Sequence, residues 1–222
     1  MTKKQLVLGF VALLVIVAFL YGTYLLINKP QVTYYPEVNK VSSSDHIKWS
    51  PAKKIILVEY SDFQCPACKL FHDYIRQELE TTKDPKIQEI VKKITFVFRS
   101  FPLTNIHPHS LKAAKAAEAA GRQNKFYQMA DLLFANQDQW AQSDQPQGLF
   151  LAYAKELKLD ADQFQKDLSS SSIQTKIQSD IRSGEKAQLT ATPTFYLQGN
   201  KVSVTSFAEF KQLLLDTLAK SP

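Results

Sequence analysis

The stretch from Ile55 to Cys68 constrains this chain more than any other. Ile55-Ile56-Leu57-Val58-Glu59-Tyr60 is an unbroken β-prone run, the pattern of a strand buried on both faces. After Ser61-Asp62-Phe63-Gln64, a helical pattern opens at Cys65-Pro66-Ala67-Cys68 and continues through Leu70, Phe71, Tyr74, Ile75 and Leu79. Pro66 suits the first helical position, because its φ is already helical and the N–H it lacks has no partner there. Cys65 then takes the cap. Its sulfur faces the free amides of Ala67 and Cys68, and those donors and the helix dipole favour thiolate over thiol. Cys68, one turn in, is placed to resolve a mixed disulfide formed at Cys65.

These are the only two cysteines of 222 residues. A disulfide-stapled scaffold needs more of them, spread along the chain. With no third thiol, electrons must pass to or from another molecule. A zinc site would need two further ligands, for which His107 and His109 are the candidates. Structural zinc sites come as paired knuckles, whereas this pair opens a helix after a buried strand. An inert pair is the remaining alternative.

The rest of the chain supplies the frame. Ile94 to Phe98 is a second buried strand, and Ser110 to Ala135 an alanine-rich helical region. Leu149 to Leu157, Asp162 to Leu168 and Ile173 to Leu189 are further helical segments. Thr194 to Leu197 and Lys201 to Val204 form an expected hairpin turning at Gly199-Asn200, before a helix marked by Phe207, Phe210, Leu213, Leu214 and Leu218. The order β-α-β, helices, β-β-α describes an α/β fold whose mixed sheet is split by a helical insertion.

At the other end, Leu6 to Ile27 is an uncharged, mostly apolar run of 22 residues. A helix of that length spans about 33 Å, enough to cross a bilayer core. It exceeds a secretory signal's apolar region and ends without an A-x-A pattern, while Tyr21 and Tyr24 suit a membrane interface. A cleaved signal and a buried core helix are the alternatives. Lys3 and Lys4 before the run against Lys29 after it favour a cytoplasmic N-terminus with the remainder exported. Disulfide chemistry prefers the same side. The expected organisation is a stub and transmembrane anchor over 1–28, a linker over 29–50 and one domain over 51–222, with its insertion at about 105–189. Pro30, Pro36, Ser42-Ser43-Ser44 and Pro51 suggest a tether, with a short ordered piece around Ile47 and Trp49.

Net charge is +6, half of it from Lys3, Lys4 and Lys29. No basic, aromatic-interleaved cluster accompanies it, so no nucleic-acid partner is expected.

IILVEYSDFQCPAC, Val97 to Pro102 with His107-Pro108-His109, the alanine-rich helix and Thr192-Pro193-Thr194-Phe195 together resemble the DsbA-like thiol-disulfide oxidoreductases of the thioredoxin superfamily. The resemblance covers roughly Asp45 to Lys220 and implies a thioredoxin-like fold. It implies that Cys65 and Cys68 exchange disulfides without a cofactor or metal, and that Pro193 is the cis-proline beside them. Thr192 would offer backbone hydrogen bonds to a substrate chain, which would also meet Pro66 and Ala67. Glu59 would be the buried acid that moves the resolving thiol's proton, a role that desolvation suits by raising a carboxyl pKa. A trans Pro193 and a solvent-facing Glu59 stay open at this level. So does the part played by His107 and His109, which line the approach or simply sit in solvent.

The implied activity is oxidation of exported cysteine-containing proteins by a single-pass membrane protein, monomeric, with its catalytic domain outside the cytoplasm. A membrane redox partner, of the quinone-linked kind, would reoxidise it. A reductase or isomerase would use the same residues, and a tethered binding module or chaperone is the reading from another class. Two departures bear on direction: Ala67 stands where strong oxidants often have histidine, and Leu189-Thr190-Ala191 replaces a glycine-rich lead-in to the proline.

Overall fold

A computed structural model describes residues 3–27 and 33–221. The chain divides into two compact units, Met1–Thr33 and Tyr34–Pro222. The first contains helix α1 (Lys3–Ile27), long and apolar enough to cross a membrane. Leu8, Phe10, Leu13, Val15 and Phe19 are all exposed, so apolar surface runs around the helix rather than along one stripe. Lys29, used above to orient the anchor, and Pro30, read above as part of the tether, lie outside the described residues.

The second unit is built on β2 (Ile55–Ser61), every residue of which is buried. It pairs in parallel with β3 (Ile94–Ser100) through a crossover containing α2 (Pro66–Tyr74), a π-helical turn (Ile75–Glu80) and α3 (Pro85–Lys93). With β1 (His46–Trp49), β4 (Thr194–Leu197) and β5 (Asn200–Lys201), the sheet order is β1-β3-β2-β4-β5, and only the β2–β3 pair is parallel. Side chains alternate across it. Leu57, Phe96, Phe98, Phe195 and Leu197 join the larger core, while Ile56, Val58, Tyr60, Val97 and Tyr196 join a smaller one on the opposite face.

Between β3 and β4 lie α4 (Ser110–Gly121), α5 (Phe126–Ala135), α6 (Gln137–Ala141), α7 (Pro146–Glu156), α8 (Ala161–Asp167) and α9 (Ser171–Lys186). The alanines of α4 are buried, allowing the close approach that brings it against α5 and α9. Helix α10 (Phe207–Ala219) closes the larger core through Phe210 and Leu214. The β4–β5 turn is centred one residue earlier than expected. Gln198 (φ 52°) and Gly199 (φ 76°) both take positive φ, the requirement of a two-residue hairpin turn, which leaves Asn200 paired in β5.

The expected linker over 29–50 is corrected from Tyr34 onward. Tyr34 bridges Asn200, the Tyr35 N–H donates to the Gly199 carbonyl at 2.7 Å, and Val38 is buried. The physical reason is Arg99, a cation in a strand buried on both faces. Its guanidinium donates to both Asp45 carboxylate oxygens (3.2 and 2.9 Å), the Val38 and Lys40 carbonyls (3.2 and 2.7 Å) and the Tyr60 hydroxyl (3.2 Å). The Pro- and Ser-rich segment supplies three of those partners and is tied down by them. Arg99→Ala leaves Asp45 buried with only Lys176, 3.8 Å away, as a counter-charge. The expected loss is about 3 kcal/mol, read as a lower urea midpoint at unchanged slope.

Candidate active site

Cys65 is the N-cap of α2, in extended conformation (φ −76°, ψ 123°), with Pro66 at the first helical position. Its N–H donates to the Asp62 carbonyl at 3.0 Å, closing the turn that joins β2 to the helix. Pro66 and Ala67 are exposed and Cys68 is fully buried. Cys65 lies just beneath the surface, and its sulfur is 3.4 Å from the carbonyl oxygen of Thr192. Thr192-Pro193 is a cis bond, and its loop, about 130 residues downstream, lies against Cys65.

The two thiols sit in opposite electrostatic settings. The neighbouring Cys68 side chain pulls the Cys65 pKa down to about 5 against the opposing effect of burial; the amides of Cys68 and Ala67 and the Thr192 side chain add to it. No formed side-chain bond caps the helix, so the amides act on the sulfur without full capping geometry. Burial holds Cys68 well above its usual range, and the charges of Cys65 and Glu59 raise it further. Absorbance of the reduced protein at 240 nm should therefore show one thiolate titrating near pH 5 and none other below about pH 9.

Glu59 is buried in β2 between Phe98 and Phe195, and its Oε1 has no hydrogen-bond partner among the described residues. Burial pushes its carboxyl up to about 7, against opposing pulls from the Ser61 side chain and then Lys48. It faces the larger core and not solvent.

Two groups that pattern reasoning passed over hold the cysteine turn. Gln137, buried in α6, donates through Nε2 to the carbonyls of Phe63 (2.7 Å) and Cys65 (3.0 Å). Asp62, fully buried, accepts from the N–H groups of Gln64 and Leu103 and from His107 Nδ1, each at 2.8 Å. An Asp two residues before Gln64 is a turn signal readable in sequence; nothing local marks Gln137. His107 is thus engaged with a carboxylate, and the His109 N–H donates to Gln64 Oε1 at 2.7 Å. Among the described residues no three His, Cys, Asp or Glu side chains are grouped to hold a metal.

The family model described as Thioredoxin matches residues 45–216. Among curated relatives, the Na(+)/H(+) antiporter NhaA 3 of Salinispora tropica is 33% identical over 160 residues, which is 71% of this chain and 22% of the relative. The Na(+)/H(+) antiporter NhaA 1 of Mycobacterium sp. (strain KMS) is 35% identical over 159 residues, 71% and 24%. The chain thus matches less than a quarter of the length of either. Among solved structures, the fold is shared with oxidised BdbD from Bacillus subtilis (TM-score 0.67, 21% identity, 85% of this chain and 98% of that one). It is shared equally with alpha-DsbA1 of Wolbachia pipientis (TM-score 0.67, 22% identity, 83% and 96%).

Proposed function

Since the chain belongs to the thioredoxin family, we propose that it oxidises dithiols of exported proteins through the Cys65–Cys68 pair. The observation that carries the direction is the asymmetry of the two thiols. With Cys65 at about 5, thiolate outnumbers thiol by about 100 to 1 at pH 7. Stabilising the reduced form to that extent raises the potential by about 60 mV, at 29.6 mV per factor of ten. Ala67 withholds a histidine's charge, but the neighbouring thiol and helix amides supply the stabilisation instead.

In this reading a substrate thiolate attacks Cys65 of the disulfide form. The Cys65–Cys68 bond breaks, and its electron pair leaves on Cys68, which takes a proton from Glu59. A second substrate thiolate then attacks the substrate's own sulfur in the mixed disulfide and expels Cys65 as a stable thiolate. The substrate dithiol becomes a disulfide and the protein's disulfide a dithiol. Thr192 and Pro193 line the approach, and exposed Pro66, Ala67 and Leu70 offer an apolar shoulder to an extended polypeptide. A redox partner must reoxidise the pair, since the chain holds no other thiol. Helix α1 serves as the anchor, with the second unit working outside the cytoplasm as a monomer beside a membrane oxidoreductase.

Equilibration with glutathione buffers tests the direction. The expected potential lies above about −200 mV; a value near −270 mV, the level of thioredoxin, would make the protein a reductase.

A further inference from the structure

Resting on the exchange reading above, we propose that the backbone N–H of Asp62 is the donor that receives the Cys68 thiolate. His107 is the positioning residue that holds it there. The Asp62 N–H donates to Cys68 Sγ at 3.4 Å, from a residue whose carbonyl simultaneously accepts the Cys65 N–H at 3.0 Å. One peptide segment therefore touches both cysteines through its main chain. In the described structure Cys68 has no solvent to receive negative charge, being fully buried, yet it must carry that charge whenever its bond to Cys65 breaks or it attacks to re-form it. The Asp62 N–H favours this charged form, and it works against the burial and neighbouring charges that disfavour it. A fixed amide aimed at developing charge is worth more in such a dry site than in water.

The amide is only as well placed as the turn that carries it. That turn is bound through the Asp62 side chain to the loop after β3, by Leu103 N–H and His107 Nδ1 at Oδ2, while Oδ1 accepts Gln64 N–H. His107 is itself held where α4 begins, its carbonyl accepting both the N–H (3.1 Å) and the hydroxyl (2.7 Å) of Ser110. The histidine thus reaches the resolving sulfur through one carboxylate and one peptide, without touching either cysteine.

The test separates the two exchange steps, using the reduced full-length protein and oxidised glutathione. In the first, the Cys65 thiolate attacks a glutathione sulfur and expels glutathione thiolate. In the second, Cys68 attacks Cys65 and expels the second glutathione. Acid-quenched samples weighed as intact protein count the Cys65 adduct with time. His107→Leu should slow the second step about tenfold, the scale of one hydrogen bond to a charged sulfur, with the first step within about twofold. The adduct then accumulates. His107→Asn, whose Nδ2 occupies the place of Nδ1, should restore resolution to within about threefold. Resolution at the wild-type rate in His107→Leu, equal slowing of both steps, or no rescue by asparagine would each overturn the proposal. A merely structural role predicts equal slowing with a lowered Tm. Should the leucine variant not fold, His107→Gln, which carries its amide one carbon too far, takes its place with the same outcomes. If the wild-type protein forms no adduct at Cys65, the exchange reading itself fails, a result distinct from all of these.

Discussion

Cys68→Ala should convert the protein into a trap, accumulating mixed disulfides at Cys65 with reduced clients or with oxidised glutathione, while Cys65→Ala forms none. The contrast follows from position. Cys65 sits at the helix cap just under the surface, and Cys68 is out of reach of any substrate sulfur. Loss of Cys65 should cost at least 10³-fold in exchange rate, because a thiol held well above its usual pKa supplies almost no thiolate at pH 7. The trapping variant carries a second signature. The Cys68 thiol is the largest single influence lowering the Cys65 pKa, so its removal should move the Cys65 titration upward, measured by iodoacetamide rate against pH. Equal trapping by both variants would mean that the roles are shared, contrary to the geometry.

Glu59→Gln should slow the proton-dependent step at Cys68 by about 10²-fold, the scale of one general acid–base group, and erase a pH inflection near 7. The same change should stabilise the reduced protein at alkaline pH. Glu59 has a folded pKa of about 7 against an ordinary 4.5, so the folded state holds its proton more tightly than the unfolded chain. Stability contributed by this group therefore falls as pH rises from about 4.5 to about 7, and is level above that. The gap between variant and wild type should widen by about 3 kcal/mol from pH 4.5 to pH 8, read from urea midpoints across pH. A gap independent of pH would show that Glu59 ionises as freely in the fold as outside it. Stability lost to a desolvated carboxyl is the trade expected of the proton-transfer role proposed for Glu59.

The legible and illegible parts divide along sequence separation. The strand at Ile55–Tyr60, the helix opening at Pro66 and the cap at Cys65 are local, set by side-chain alternation and by the fixed φ of proline, so a window of fourteen residues was enough to place them. The alanine-rich stretch from Ser110 to Ala135 likewise declared helix, which the structure divides into Ser110–Gly121 and Phe126–Ala135. Within the expected linker over 29–50 the ordered piece around Ile47 and Trp49 is β1. The order from Tyr34 to Asp45 was not legible, because its composition is that of a linker and its order comes from Arg99, some 55 residues away. No local pattern shows a buried guanidinium in search of acceptors. The hairpin turn shifted by one residue because φ > 0 at Gln198 is a preference that glutamine does not advertise.

At the site itself, sequence alone determined that Cys65 is the exposed-end thiol and Cys68 the inner one, since helix position follows from spacing. It also marked Glu59 six residues upstream as a carboxylate inside a strand. Only the tertiary structure decided what surrounds them. Thr192 lies 3.4 Å from Cys65, Gln137 holds the carbonyls of the cysteine turn, and His107 reaches Asp62 and through it the amide facing Cys68. These contacts join residues 45 to 127 positions apart or pass through such a contact. They depend on how the insertion and the second half of the sheet close over β2, which is a matter of long-range packing rather than local propensity.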